Sequence, residues 1–422
     1  MNPRVIRSLF AGAFLAATFC AQAQQAVRIA YIDPLSGAFA NVGEQGLKQF
    51  QFVADDINRR GLAGPGVKLE MVPFDNKVSP QETLSVLKKV IDSGIRIITQ
   101  GNSSAVAGAL IDAVQKHNDR NPSQSILYLN YAAVDPDYTN SKCSFWHFRF
   151  DANSDMKMEA LTTYLAQDKN VKKVYLINQN YSFGQAVSRA AKELLARKRP
   201  DIQVAGDDLH PLGQVKDFSP YIAKIRQSGA DTVITGNWGN DMALLVKAAR
   251  DAGLPSKFYT YYGGLLGGVP GMGDAAIGRV KQITEWHANV SPNKTEKFAN
   301  DFKGKFKVDF YYLRVNTQMY MLAEAMKQAK SADPLKVAQK LEGMKWMSDT
   351  GEVEMRAADH QLLNPLFIST IVKAGTRAGK PQSGGDKAAK YDVEDSGMGF
   401  KTDARIESYV AAQPTSCQMK RP

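Results

Sequence analysis

Cysteine is scarce in this chain, with three residues in 422, too few for a disulfide scaffold to hold the fold. Long apolar runs are missing beyond the first two dozen residues, where nothing approaches the ~18–20 residues of a membrane-spanning helix. The phosphate-cradling pattern Gly-x4-Gly-Lys-Ser/Thr is absent, and so is the Gly-x-Ser-x-Gly nucleophile elbow. Gly37, Gly43 and Gly46 follow the first apolar run but not at dinucleotide-binding spacing. His117, His147, His210, His287 and His360 are scattered, with no His-Glu-x-x-His pair, and Cys143 and Cys417 lack metal-ligand partners at useful spacing. Nucleotide, metal and serine-hydrolase chemistry are therefore without a motif, and neither a metal nor any other cofactor is expected.

What remains is ordinary in composition. Hydrophobic residues make up 44% and charged residues 23%, which excludes disorder, collagen and coiled coil. The length fits two lobes with two substantial cores. Net charge is +11, but the basic residues are dispersed. Arg197-Lys198-Arg199 ends a helical stretch, where cations offset the dipole, and no basic block is interleaved with aromatics. A solvated positive surface is the reading, with an anionic ligand drawn in by the field as a second one. Nucleic acid is not expected.

The first residues have the three parts of a secretory leader. Arg4 and Arg7 precede an apolar stretch from Leu9 to Ala21, and Ala21-Gln22-Ala23 is a small-x-small cleavage site. A buried amphipathic helix is the alternative. Cleavage after Ala23 removes Arg4 and Arg7 and no acid, taking the net charge to +9. The mature protein is then exported, has no span of its own, and fits a bacterial periplasm. Cys20 leaves with the leader, so Cys143 and Cys417 remain in an oxidising compartment, where two thiols usually pair. The expectation is a bridge from the tail to the mid-chain, with two unpaired buried thiols as the alternative.

Strand and helix patterns alternate through the mature chain. Val27–Ile32 reads as a strand, and Leu47, Phe50, Val53 and Ile57 mark a helix closing near Gly61. A strand to Phe74 follows, then a helix with Ser79 as cap, Pro80 in its first turn and Glu82 completing a capping box. Strands at 96–99 and 126–131 flank a helix from Ser103 to His117. The alternation restarts after about residue 147, with strands at 171–177, 202–207, 232–235 and 258–262. From Val280 come one strand and about three helices up to Leu341, then the β-rich Leu366–Val372, and residues 374–390 read as a flexible loop or extension. Short apolar strands alternating with amphipathic helices imply an α/β fold with parallel sheets covered on both faces.

Several segments together resemble the type I periplasmic binding proteins, including the branched-chain (Leu/Ile/Val) amino acid receptors of ABC transporters. They are Val27-Arg28-Ile29-Ala30-Tyr31-Ile32-Asp33-Pro34-Leu35-Ser36-Gly37 and Asp55-Asp56-Ile57-Asn58, then Gly101-Asn102-Ser103-Ser104 and Asn130-Tyr131-Ala132-Ala133. Asn180-Tyr181-Ser182-Phe183-Gly184, Lys216-Asp217-Phe218-Ser219 and Gly351-Glu352-Val353-Glu354 continue the likeness along the chain. The resemblance implies two doubly wound Rossmann-like lobes joined by a three-crossing hinge. With a leader at 1–23, lobe 1 is 24–147 plus 282–357, and lobe 2 is 148–281 plus 358–422 with a C-terminal extension. It implies an importer's receptor that closes on a small ligand and docks to an ABC permease, and no enzyme. A sensing module that signals through a partner protein, and third a Rossmann-like enzyme, are the alternatives.

In such a fold the ligand sits at the carboxyl ends of the strands. Asn41 and Val42 are candidates from the loop after strand one. Ser103 and Ser104 open a helix whose N–H groups can hold a carboxylate. Tyr131, Ala132 and Ala133 resemble the family's carboxylate- and ammonium-contacting turn. Tyr181, Phe183, Asn237, Trp238 and Tyr262 come from the second lobe, while Tyr259 and Tyr261 read as core. Two departures stand out. The family's acidic partner for a ligand ammonium is replaced by Tyr262, and a hydroxyl-bearing residue of the first-lobe turn by Val134. The expected ligand is a small carboxylate or an amino acid, and the two departures favour an aromatic or short aliphatic acid over an ordinary α-amino acid.

Overall fold

The computed structural model describes residues 25–422; the expected leader at 1–23, with Cys20, lies outside them. The first lobe is built from β1 (Gln25–Asp33), α1 (Ala40–Arg60), β2 (Val67–Asp75), α2 (Pro80–Asp92), β3 (Ile97–Gln100), α3 (Ser104–Arg120), β4 (Leu127–Asn130) and β5 (His147–Arg149). Its sheet has the order β2-β1-β3-β4-β5 and every pairing is parallel. Local chemistry sets the helix ends. The Ser79 side chain accepts from the Glu82 N–H with Pro80 in the first turn of α2, and α1 stops at Gly61, whose φ of 63° favours glycine. Phe50, Val53 and Ile57 of α1 are fully buried against Ile29 and Ile98 of the sheet, each worth about 1.5–3 kcal/mol for the larger side chains.

The chain then enters the second lobe as α4 (Ser154–Leu165), β6 (Lys173–Gln179), α5 (Ser182–Lys198), β7 (Gln203–His210), α6 (Ser219–Ser228), β8 (Thr232–Thr235), α7 (Gly239–Asp251), β9 (Lys257–Thr260), α8 (Gly268–Met272) and β10 (Val280–Thr284). It returns to the first lobe for α9 (Glu296–Phe306), α10 (Leu313–Ala329), α11 (Pro334–Leu341) and the meander β11 (Lys345–Ser348), β12 (Gly351–Met355) and β13 (Leu362–Leu363). It crosses again to β14 (Leu366–Lys373), β15 (Thr376–Arg377), β16 (Lys380–Pro381), β17 (Met398–Ile406) and α12 (Ser408–Ala411). The second sheet has the order β17-β14-β10-β9-β8-β6-β7; its two late strands are antiparallel additions to a parallel core. Passages expected near 147, 281 and 357 lie slightly later. His147–Arg149 still pairs in the first sheet, Thr284 in the second, and Leu362 with Met355 of β12. Strand pairing carries each passage a few residues beyond the limits that the resemblance implies.

Residues 374–390 are a bonded strap rather than a flexible loop. β15 and β16 form a small hairpin, and the Gln382 amide donates to the carbonyls of Ala374 and Gly397. The tail leaves the second lobe after α12 and lies on the first. The Thr415 hydroxyl donates to the Thr139 carbonyl at 2.7 Å, and Arg421 pairs with Glu342 at 2.7 Å. Cys143 and Cys417, 274 residues apart, are bonded to each other. No helix among the described residues is long and apolar enough to cross a membrane. Replacing both cysteines by serine is expected to cost ~2–4 kcal/mol, read as a lower urea midpoint. An unchanged midpoint would show that the tail bond carries no stability.

Candidate functional site

The carboxyl ends of β1, β3 and β4 face those of β6, β8 and β9 across a cleft. Both first crossover helices approach their strands closely because a glycine occurs near their start. A Cβ on Gly43 would lie 1.8 Å from the Pro34 carbonyl oxygen, and one on Gly184 would lie 1.9 Å from that of Gln179. The backbone of each helix therefore rides on the turn before it, which brings Val42 of α1 and Phe183 of α5 to the cleft.

The turn between β3 and α3 is held from beneath. Asp33, at the end of β1, accepts from the N–H groups of Gly101 and Asn102 at 3.2 and 2.9 Å and from the Tyr131 hydroxyl at 2.9 Å. Burial is the first cause raising the Asp33 carboxyl to about 7, against those stabilising hydrogen bonds. So fixed, the turn places Ser103 at φ 78°, a conformation that costs a non-glycine residue about 1–3 kcal/mol. The Ser103 hydroxyl is buried with no hydrogen-bond partner among the described residues and does not cap α3. Ser104 accepts from the Asp135 N–H instead. The unpartnered Ser103 hydroxyl and the N-terminal end of α3 thus line one cavity, and the free N–H groups that a helix start offers suit a carboxylate there.

That spot opens into a narrow cavity of about 30 Å³, room for two or three waters at ~10–15 Å³ each. Val42, Ala132 and Val134 line it from the first lobe and Phe183, Trp238 and Tyr262 from the second. The Trp238 indole donates to the Tyr181 hydroxyl at 2.8 Å. Phe39 reaches over from the first lobe to within 4.5 Å of the Trp238 ring centre, and the Asn240 amide donates to the Ala38 carbonyl at 2.8 Å.

Tyr312 and Arg314, at the start of α10, complete the lining. Arg314 donates to the Tyr131 carbonyl at 2.6 Å and to Glu285 at 2.9 Å. Asp151 lies 3.6 Å away and is itself paired with Lys157 at 2.9 Å. All four charged side chains are at most 5% exposed. Burial disfavours the charged guanidinium, but Asp151 and Glu285 outweigh it and hold Arg314 above the ordinary arginine range. Burial likewise opposes Glu285, whose ionised form wins through Arg314 and Lys157. Burial raises Tyr262, and raises Tyr312 to about 12, so both hydroxyls remain donors.

Of the residues expected at the site, Ser103, Ser104, Ala132, Ala133, Tyr181, Phe183, Trp238 and Tyr262 surround one cavity. Three lie elsewhere. Asn41 belongs to the first turn of α1, not a loop, and is exposed with its side chain folded onto the Val42 N–H. The Tyr131 side chain turns inward, 3.1 Å from the Tyr31 hydroxyl, because the lobe needs a donor for buried Asp33. Asn237 faces away from the cavity to the ring of His210 at 2.8 Å. Sequence reading missed Tyr312 and Arg314. Their signal is an arginine at the start of a helix that otherwise buries Leu313, Val315 and Met319.

Residues 26–376 match the model of the periplasmic binding protein family. The chain belongs to that family. Leu/Ile/Val-binding protein homolog 4 of Brucella melitensis is 33% identical over 408 residues, covering 94% of this chain and 93% of that protein. The leucine-, isoleucine-, valine-, threonine-, and alanine-binding protein of Brucella ovis, solved in a closed conformation, superposes with a TM-score of 0.80 at 30% identity, covering 94% of this chain and all of that one. An ABC transporter solute-binding protein of Rhodopseudomonas palustris, in complex with 3,4-dihydroxy benzoic acid, shares the fold at a TM-score of 0.75 and 18% identity, over 91% of this chain and 98% of that one. This receptor is a substrate-binding protein of the branched-chain amino acid ABC transporter type, and its relatives are receptors, not enzymes. The family is periplasmic.

Two outcomes follow for the receptor. Ser103→Gly removes the hydroxyl and the unfavourable φ together. It is expected to raise stability by about 1 kcal/mol in urea unfolding while weakening ligand binding in calorimetry; equal loss of both would mean the turn is not strained for ligand. Asp33 binds its proton more tightly folded, at about 7, than unfolded, near 3.8. Its contribution is therefore fully present below 3.8 and lost as pH rises through about 7. Urea midpoints at pH 5 and pH 8 are expected to differ less in Asp33→Asn than in the natural chain.

Proposed function

We propose that the cleft takes a small carboxylic acid that carries no ammonium group, a flat aromatic or short aliphatic acid, and that the two lobes close on it for delivery to an ABC permease. One observation carries this reading: the residues lining the cavity include no aspartate or glutamate, but do include Ser103, Tyr181, Tyr262, Tyr312 and Arg314. The acids behind the lining are already engaged, Asp151 and Glu285 by Lys157 and Arg314, and Asp33 by the Gly101 and Asn102 N–H groups and the Tyr131 hydroxyl. A buried ammonium left without a carboxylate costs several kcal/mol, whereas a carboxylate at Ser103 meets a hydroxyl and the positive end of α3.

Shape supports the same class. Phe183, Trp238 and Tyr262 line the cavity from the second lobe and Ala132 and Val134 from the first, so an apolar body held between the lobes meets aromatic rings on one side and small aliphatic side chains on the other. The dihydroxybenzoate held by the Rhodopseudomonas palustris protein is of this chemical class. Lobe closure follows from the two-sided lining, since a ligand that touches both lobes stabilises the arrangement in which both reach it.

Calorimetry with 4-hydroxybenzoate, 2-methylpropanoate and leucine tests the reading. At least one of the acids is expected to bind at least about tenfold (about 1.4 kcal/mol) more tightly than leucine, and tight leucine binding with neither acid detected would overturn it. In Tyr262→Glu the preference is expected to move toward leucine, because the new carboxylate faces the cavity.

A further inference from the structure

A second cavity adjoins the first, with Leu265 lining both. Its volume is about 510 Å³ against about 30 Å³, within the range of cavities that hold a whole organic molecule. Its walls come from three places: α9 and the Asp309–Tyr311 stretch of the first lobe, β10 and Phe400 of the second, and the strap through Lys390 and Asp395.

The chemistry of this cavity differs from that of the slot. Trp286, Phe310, Tyr311, Tyr391 and Phe400 supply aromatic surface. Four acids line it, Glu296, Asp309, Asp392 and Asp395, against two lysines, Lys303 and Lys390. Lys303 is shared between Asp309 and Asp395 at 2.8 and 2.9 Å, and Lys390 meets Glu296 at 3.0 Å. Asp392 accepts from the Thr376 hydroxyl and the N–H groups of Ala378 and Gly397, and makes no ion pair among the described residues. The lining therefore carries a surplus of negative charge inside a chain whose net charge is +11. Three polar atoms of the lining have no hydrogen-bond partner among the described residues: the indole N–H of Trp286, a residue only 3% exposed, the Asn293 side-chain oxygen and the Tyr311 hydroxyl.

We propose that this cavity is a second binding site, for an organic ammonium ion on an aromatic body that also bears a hydroxyl. Aromatic faces and surplus carboxylate attract the cation, Asn293 Oδ1 supplies a neutral acceptor for one of its N–H groups, and the ligand hydroxyl oxygen accepts from Trp286. The donor-rich slot beside Ser103 disfavours such a cation, so the two cavities take ligands of opposite charge. This inference stands independently of which acid occupies the slot.

Titration calorimetry of the purified chain with tyramine, and with uncharged 4-ethylphenol as its control, tests the proposal. Tyramine is expected to bind saturably at one site, with 4-ethylphenol at least about tenfold weaker. Trp286→Phe and Asp395→Asn are each expected to weaken tyramine at least about threefold, with circular dichroism showing both variants fully folded at the assay temperature although Trp286→Phe, in a buried cluster, unfolds at a lower temperature. Asparagine tolerates the positive φ of 56° at position 395. Ser103→Gly, in the slot, is expected to leave tyramine affinity unaltered. Absence of saturable tyramine binding, equal affinity for 4-ethylphenol, or loss of tyramine on Ser103→Gly with retention in both second-cavity variants would overturn it.

Discussion

Arg314 between Asp151 and Glu285 is the interaction on which the rest of this molecule depends. Asp151 stands where the chain first leaves the first lobe, and Glu285 where it first returns. The third passage joins through Gln361, which donates to the Asp151 carbonyl at 2.8 Å and accepts from buried Arg149 at 2.7 Å. Buried charges are tolerated only when paired and hydrogen-bonded, and removing one partner leaves the other uncompensated. Every strand of the hinge is thus committed to one geometry at its base. Arg314 also donates to the Tyr131 carbonyl, so the hinge and the cavity-lining turn Ala132–Val134 share one support.

The floor of the cleft follows a similar logic at smaller scale. One buried carboxylate, Asp33, gathers the N–H groups of the turn above it and the Tyr131 hydroxyl. Its grip lets Ser103 persist at a φ that free serine avoids. The strain sits where a hydroxyl and the end of a helix must both face the same point, which is how a fold stores preorganisation for binding. Across the cleft, aromatic residues rather than charges close the slot, and the absence of an acid there is as specific as the presence of a donor.

Much of this was legible in the sequence because it follows from short-range rules. The parallel strands, the Ser79 cap and the two lobes come from alternation and turn chemistry acting over a few residues. Ser103, Phe183, Trp238 and Tyr262, which line the cavity, follow from the rule that the ends of parallel strands face the cleft. The misplaced residues fail for tertiary reasons. Tyr131 is at a strand end, as expected, but a buried aspartate 98 positions earlier in the chain claims its hydroxyl. Asn237 is claimed by His210, which follows from no periodicity. Arg314 lies 163 residues after Asp151, with no motif linking them. The strap at 374–390 has loop composition, and its order comes from the carbonyls of Ala374 and Gly397, next to β14 and β17, and from the Asp392 carboxylate, which accepts from Thr376 and Ala378.

The bond between Cys143 and Cys417 has a topological consequence. Three covalent passages join the lobes through the hinge, and the tail adds a fourth after α12, ending in a bond to the first lobe. The second lobe is therefore enclosed in a closed covalent ring instead of hanging from an open-ended chain. A ring closed by this bond limits how far one lobe can be twisted against the other, because the tail must still reach Cys143. Reduction of that one bond would restore the torsional freedom without touching a residue in either cavity.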